Sequence, residues 1–237
     1  MNLKDVVNVR RYILLLACMM VSLTSACVSR LPVRTVENRL AEYGPAARSR
    51  LRPLFEQAGV SYPPRKVVIV AFKQERVMEV YASAGSGALR KAAAYPILGA
   101  SGGLGPKLRE GDRQVPEGIY AIEELNPNSR HEIALKLNYP NAFDLARAAE
   151  DGRSDPGSDI MIHGSNTSIG CLAMGDEVAA DLFVLAADVG ISNVQVVISP
   201  VDFRKGVTVL LLSQPAWVSG LYGEIQSKLA ELPEVVP

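Results

Sequence analysis

The sequence is poor in the residues that build disulfide frameworks and metal centres. It contains three cysteines, Cys18, Cys27 and Cys171, and two histidines, His131 and His163. Three cysteines are too few for a disulfide scaffold, and their spacing matches no zinc knuckle. One cysteine and two histidines without an adjacent acidic cluster also form no recognisable ligand set. We therefore predict neither a metal nor a cofactor.

An excess of charge of one sign is also absent. The 25 Lys and Arg residues equal the 25 Asp and Glu residues, so the formal net charge is +0. A protein that binds a phosphate backbone usually has a basic excess, so nucleic acid is not an expected partner. The 48% of apolar residues and 21% of charged residues are typical of a globular core. A length of 237 residues predicts one domain or slightly more.

The N-terminus has an apolar run that is short for a membrane span. Ile13–Leu23 covers eleven residues, against the ~20 needed to cross a bilayer, and three basic residues precede it. This order is typical of a signal peptide. The small residues before Cys27 resemble a bacterial lipoprotein cleavage site, although Thr24 stands where Leu is usual. We predict a signal peptide over 1–26, with an ordinary signal peptide or an uncleaved anchor as the alternatives.

Cys27 would then carry a lipid anchor in the membrane. Val28 follows it in place of the Asp associated with retention in the inner membrane. We therefore expect a periplasmic protein that is tethered to the outer membrane. Cys171 would be its one free thiol in an oxidising compartment, and such a thiol calls for a functional reason.

The remaining chain predicts an α+β fold with a β-rich core. Residues 27–64 indicate a tether and one or two helices, interrupted at Gly44-Pro45, and residues 65–205 indicate the main domain. In that domain short β-rich runs alternate with Gly, Pro, Asn and Asp clusters, as in mostly antiparallel sheets. Residues 206–237 form a C-terminal extension with a strand and a helix. The strands are predicted at 67–72, 76–82, 95–99, 118–123, 132–137, 159–163 and 194–199, and the later helices at about 176–189 and 216–232.

The chemistry is concentrated between His163 and Cys171, eight residues apart. A strand that ends at His163 would hold the imidazole on a rigid element, and the Ser/Gly/Asn-rich loop could fold the thiol back to it. An imidazole within hydrogen-bond reach can accept the thiol proton and lower the thiol pKa. Free amides near Gly170 and Cys171 could receive an oxyanion. We interpret His131 as a partly exposed strand residue outside the site.

Several ordered motifs resemble a known family. His163-Gly164 followed by Ser168-Ile-Gly-Cys171 resembles the signature of the L,D-transpeptidase catalytic (YkuD-type) domain. The segments 101–107 and 110–120 look like further elements of that family. Tyr139–Asp144 and Cys171–Met174 look like its Gram-negative murein L,D-transpeptidase-related subgroup. The resemblance covers about residues 50–205.

The resemblance implies the β-rich L,D-transpeptidase fold and a role for each matched residue. Cys171 would attack the L-to-D amide at the third residue of a peptidoglycan stem peptide, usually meso-diaminopimelate. His163 would act as base and then as acid, and the Gly164 carbonyl would orient its ring. Ser168 and Gly170 would shape the oxyanion pocket. Lys107 and Tyr139 would contact the substrate. The implied partners are peptidoglycan stem peptides and, as a further candidate, a wall-linked lipoprotein.

Two positions depart from the family pattern. Ile169 stands where many members have a second histidine, and Ala173 stands where many have Arg or Asn. Both residues lack the polar group that many family members have beside the cysteine, so we favour hydrolysis of the acyl-enzyme over transfer to an amine that would form a crosslink. The alternative is a non-catalytic peptidoglycan-binding lipoprotein. A papain-like protease would have its cysteine before its histidine, the reverse of the order here.

Overall fold

The structure is a computed structural model that describes residues 33–85, 87–209 and 214–233. The predicted signal peptide and Cys27 lie outside the described residues. A compact unit begins at Arg34. Within the part of the chain that is described, no helix has both the length and the apolar character needed to cross a membrane.

Nine strands form one mixed sheet across the described residues, in the order β3-β2-β1-β9-β5-β6-β7-β8-β4. The neighbouring strands are antiparallel except for the pairs β1–β9 and β7–β8. The predicted α+β class is therefore confirmed. The strands are β1 Lys66–Phe72, β2 Val77–Ser83, β3 Arg90–Pro96, β4 Gly99–Ala100, β5 Gly118–Ser129, β6 Glu132–Leu137, β7 Met161–His163, β8 Leu172–Ala173 and β9 Val194–Ser199.

Helices cover both faces of the sheet. The helices are α1 Val36–Gln57, α2 Ala142–Glu150, α3 Asp176–Val189 and α4 Val218–Ala230. Val67 and Ile69 of β1 lie in the core that contains the apolar faces of α1 and α3, whereas Val68 and Val70 lie in the core that contains α4. Because successive side chains of a strand point to opposite faces, a central strand covered on both faces is apolar throughout.

Helix α1 differs from its prediction. It continues through Gly44-Pro45, where the sequence predicted an interruption. Its buried residues include Leu51 and Phe55, and Arg48 forms an ion pair with Asp188 of α3. This tertiary packing compensates for the low helix propensity of an internal proline.

Two other elements were misjudged from the sequence. Helix α2 was not predicted, although Asn141 and Asp144 form a capping box at its start. The single strand predicted at 95–99 is wrong, because β3 ends at Pro96 and the separate two-residue strand β4 begins at Gly99.

Candidate active site

Two short parallel strands bring Cys171 beside the end of β7. His163 ends β7 and pairs with Ala173 of β8, while Ile162 pairs with Leu172. Cys171 directly precedes β8, so the chain that leaves His163 must loop back before it reaches the thiol. Met161, His163 and Cys171 all line one cavity of about 480 Å³. The alternate residues Ile162 and Leu172 are fully buried in the core on the other face.

A backbone carbonyl fixes the orientation of the His163 ring. The side chain is only 4% exposed, and Nδ1 lies 2.5 Å from the Gly164 carbonyl oxygen. A carbonyl can only accept, so Nδ1 carries the proton and the Nε2 lone pair is available as a base. Burial, and secondarily the charge of His131, lowers the pKa of His163 despite the hydrogen bond to Gly164. The imidazole is therefore neutral at neutral pH.

Glycine is required at position 164 because the start of α3 lies very close. A Cβ on Gly164 would be 2.3 Å from Asp176 Oδ1. That oxygen accepts a hydrogen bond of 2.7 Å from the Ser165 amide, and Ser165 has a left-handed φ of 64°. Asp176 thus holds the turn that places the Gly164 carbonyl beneath the imidazole. The sequence placed Asp176 only at the start of a predicted helix.

The thiol of Cys171 is half-buried and protonated at rest. Its Sγ donates to the Asp159 carbonyl at 3.7 Å. Burial raises the pKa of the Cys171 thiol, and this outweighs the hydrogen bond from the Met161 amide, which lowers it. We expected the imidazole to lower the thiol pKa, and that expectation is wrong for the resting site. The pair consists of a neutral thiol and a neutral imidazole, so proton transfer belongs to the attack itself.

Ser168 organises the loop before the cysteine. Its Oγ donates to the Cys171 carbonyl at 2.7 Å and lies 3.0 Å from the Ser101 hydroxyl. The Gly170 amide donates to the same Oγ at 3.2 Å. The prediction that the Gly170 amide is free for an oxyanion is therefore wrong, since Ser168 already accepts its proton. The Cys171 amide is the candidate that remains.

Lys107 and Tyr139 lie outside the cavity lining, in contrast to the predicted substrate contacts. The Lys107 ammonium is buried and bonds to Asp112 at 2.7 Å and to the Arg109 carbonyl at 2.9 Å. The Tyr139 hydroxyl is also buried and donates to the Pro156 carbonyl at 2.8 Å. Both side chains support the loops behind the site. Lys107 acts on Cys171 only through its charge, which lowers the thiol pKa.

His131 is part of the site, which corrects its interpretation as a strand residue outside it. It lies on the turn between β5 and β6, and its ring stacks on His163 with centroids 4.1 Å apart and planes 8° from parallel. The sequence held no local signal for this, because His131 reaches His163 through the pairing of β6, which directly follows the turn, with β7. The other residues on this wall of the cavity are Asn126, Asn128, Ser129 and Arg130.

The two departures from the family pattern occupy different environments. Ile169 lines the cavity and is 76% exposed, so it forms an apolar rim. Ala173 is fully buried in β8, where it pairs with Gly99. A Cβ on Gly99 would be 3.2 Å from the Ala173 Cβ. The expectation that Ala173 marks a lost contact in the cavity is therefore wrong. Among the residues described, no cluster of three or more His, Cys, Asp or Glu could hold a metal.

Comparisons with known proteins match this part of the chain. The chain is 38% identical over 139 residues to "Putative L,D-transpeptidase YafK" of Escherichia coli K12 and of Escherichia coli O157:H7. The match covers 56% of this chain and spans 54% of each relative, about half of its length.

Two solved structures are also similar. The helical cell shape determining protein Pgp2 of Campylobacter jejuni has 25% identity and a TM-score of 0.45, with 58% of this chain and 48% of that chain covered. L,D-transpeptidase 1 of Mycobacterium tuberculosis has 15% identity and a TM-score of 0.34, with 56% and 62% covered.

The sequence pattern of the L,D-transpeptidase catalytic domain (YkuD) matches residues 65–198. These residues include the His163–Cys171 loop, the stacked His131, strands β1 to β8 and all of β9 except its last residue, Ser199. The chain therefore belongs to the L,D-transpeptidase catalytic domain family.

Proposed function

We propose that this protein is a cysteine acyl-enzyme that cleaves the L,D-amide at meso-diaminopimelate in peptidoglycan stem peptides. The observation that carries the proposal is a single cavity that contains a half-buried thiol and a neutral imidazole of fixed orientation. Cys171 is the nucleophile, and His163 is the base and then the acid. The Gly164 carbonyl keeps Nε2 unprotonated and available.

The reaction follows from these protonation states. The Cys171 thiol gives its proton to His163 Nε2 as Sγ bonds to the carbonyl carbon, and the amide oxygen becomes an oxyanion that the Cys171 amide can stabilise. The C–N bond then breaks, and the imidazolium returns the proton to the leaving amine. A thioester on Cys171 remains. Water or an amine attacks the thioester, loses a proton to Nε2 and releases the thiol.

The charges of the cavity fit a donor that carries carboxylates. Arg130 lines the cavity, and the residues that line it include no Asp or Glu. Stem peptides carry free carboxylates that Arg130 can pair with. An acceptor amine, in contrast, is mostly an ammonium in solution at neutral pH, and the residues that line the cavity provide Arg130 and no acid to pair with it. This asymmetry and the apolar rim at Ile169 support hydrolysis over crosslinking, with a wall-linked lipoprotein as a candidate substrate.

Location is part of the same proposal. A cell-wall substrate requires export, and a lipid on Cys27 would hold the catalytic unit against the wall from the outer membrane. Intact-mass measurement of protein from the membrane fraction tests this. Cleavage before Cys27 and a diacyl or triacyl increment are expected, and an unlipidated mature chain would overturn the anchor.

Digestion of sacculi tests the activity. Purified sacculi with bound lipoprotein, and separately tetrapeptide muropeptides, are incubated with wild-type protein, with Cys171→Ala and with the remote surface variant Lys228→Ala. Mass analysis should show trimmed stem peptides or released lipoprotein fragments for wild type and Lys228→Ala, and no product for Cys171→Ala. Dimers linked between two diaminopimelate residues would contradict hydrolysis. If wild-type protein and Cys171→Ala sediment equally with sacculi and neither forms a product, the result would favour a non-catalytic peptidoglycan-binding protein.

A further inference from the structure

The turn that carries His131 belongs to a segment that we call the active-site hairpin, residues 126–132. Four of its residues besides His131 line the cavity. The His131 ring covers one face of the His163 ring in a parallel stack with a centroid separation of 4.1 Å. Stacking of this kind leaves the edge of the His163 ring free and blocks rotation of its plane. The hairpin therefore contributes to the geometry of the base without touching the thiol.

Helix α1 holds this hairpin at both ends. Arg39 Nε donates to the Pro127 carbonyl at 2.8 Å, and Arg39 Nη2 donates to the Glu132 carbonyl at 3.3 Å. The Tyr43 hydroxyl donates to the Glu132 carboxylate. The Asn128 side chain exchanges two hydrogen bonds, of 2.8 and 2.7 Å, with the backbone of Arg34.

The backbone next to His131 is strained. Glu132 has a left-handed φ of 68°, an uncommon conformation for a residue with a side chain. Such strain persists only where surrounding contacts determine the conformation. Here Arg39 and Tyr43 of helix α1 provide those contacts, on the residue that directly follows the stacked imidazole.

We propose that His131 is a positioning residue for the His163 imidazole, and that helix α1 keeps it in place by clamping the active-site hairpin through Arg39 and Tyr43. The role of His131 rests on the proposed function insofar as His163 accepts the Cys171 proton. The proposal also gives a function to helix α1, which lies outside the matched residues 65–198: α1 holds one wall of the active-site cavity in position.

The stack also bears on the charge of the pair. Positive charge on the His131 ring disfavours protonation of His163 at this separation, and this contributes to the lowered pKa of His163. The other charged groups near the pair are Arg130, which lines the same cavity, Glu132 on the hairpin, which bonds to Tyr43, and Asp176 at the start of α3. Asp159 and Lys107 act on the Cys171 thiol.

Replacement of His131 tests the stack. His131→Ala removes the ring, whereas His131→Phe keeps a flat ring that cannot titrate. We expect His131→Ala to lower kcat at least about 10-fold with little change in KM, because a misplaced base affects the transition state more than binding. His131→Phe should recover kcat to within about threefold of wild type. An unchanged kcat in His131→Ala overturns the proposal. A loss in His131→Phe as large as in His131→Ala also overturns it, because His131 would then act through its nitrogens.

A spectroscopic readout separates this proposal from the proposed function. In NMR spectra of free protein, the ring protons of His163 should carry a ring-current shift that is lost in His131→Ala and retained in His131→Phe. This measurement needs no peptidoglycan. If the shift behaves as expected while sacculi are not cleaved, the stack stands and the proposed function fails. If sacculi are cleaved and the shift is unaffected by His131→Ala, the positioning role fails alone.

Two arginines of α1 provide a matched pair for the clamp. Arg39→Ala breaks the bonds to the hairpin, whereas Arg48→Ala breaks an ion pair of 2.6 Å with Asp188 of α3. We expect Arg39→Ala to reduce the His163 ring-current shift and to lower kcat about 10-fold, with Arg48→Ala close to wild type in both. Equal effects of the two variants would show that α1 acts only through general stability and would overturn the clamp.

Discussion

Substitution of Gly164 by alanine is a direct test of the turn that orients His163. Gly164 does not need a positive φ, so the cost of a side chain here is a matter of space. The new Cβ would lie 2.3 Å from Asp176 Oδ1 and 3.3 Å from Asp176 Cα. The carboxylate must move, and it then loses its hydrogen bond of 2.7 Å from the Ser165 amide.

The size of the effect follows from that lost bond. A hydrogen bond to a charged group contributes about 1.5–3 kcal/mol, and the exposure of Asp176 favours the low end, about 1.5 kcal/mol. Ser165 then loses the contact that holds its left-handed backbone, so the Gly164 carbonyl shifts beneath the imidazole. A displacement of about 1 Å at a base lowers turnover by as much as about 10²-fold.

Urea denaturation and steady-state kinetics measure both effects. Asp176→Ala is the matched control, because it removes the same hydrogen bond without adding a methyl group. The double variant Gly164→Ala/Asp176→Ala lacks the 2.3 Å clash and keeps only the 3.3 Å contact with the Cα of residue 176, so its stability should be close to that of Asp176→Ala alone. Wild-type stability and turnover in Gly164→Ala would refute the reasoning.

Three further outcomes are expected. The kcat/KM of the wild type should be constant around neutral pH and should fall as the pH drops through the lowered pKa of His163, because a protonated imidazole cannot accept the thiol proton. A fall that begins above the usual histidine pKa would contradict a resting site with a neutral thiol and a neutral imidazole. Burial raises the pKa of Asp144 from 3.8 to about 6. The native state therefore binds this proton more tightly than the unfolded state does, and the free energy of unfolding falls as the pH rises between these two values. In urea denaturation, Asp144→Asn should increase the free energy of unfolding by up to about 3 kcal/mol at pH 8 and by almost nothing at pH 4. An equal increase at both pH values would contradict this. Lys73→Met removes the ammonium that lies 3.0 Å from the buried Glu117 carboxylate. In urea denaturation it should lower the free energy of unfolding by about 3–5 kcal/mol. A decrease below about 1 kcal/mol would show that the ion pair is not desolvated.

The sequence was informative wherever one local pattern determined the structure. The apolar run of β1, the helix that starts at Asp176 and the strand from Val194 were predicted within a residue, because periodicity and caps act over short distances. The sequence also predicted that His163 and Cys171 lie close together, and both line one cavity, since a strand followed by a short loop constrains both. Their protonation states were not predicted, because burial depends on packing from the whole sheet.

The part that sequence reasoning missed depends on distant contacts. His131 reaches His163 only because β6 pairs with β7, which lies about thirty residues further along the chain. Helix α1 continues through Pro45 with support from distant contacts, among them the ion pair of Arg48 with Asp188 of α3. Lys107 and Tyr139 fit a family motif, but their polar groups point to neighbouring loops. A motif identifies which residues matter without showing which of them face the cavity.

The central claim is that Cys171 becomes acylated by a stem peptide. Wild-type protein is mixed with a tetrapeptide muropeptide, quenched in acid at early times and analysed by intact-mass and peptide-level mass spectrometry, with Cys171→Ala in parallel. We predict an added mass equal to that of the donor minus the free amino acid released from the position after diaminopimelate, located on Cys171 and absent from Cys171→Ala. Turnover of the muropeptide by a folded Cys171→Ala, or an adduct on any other residue, would contradict it.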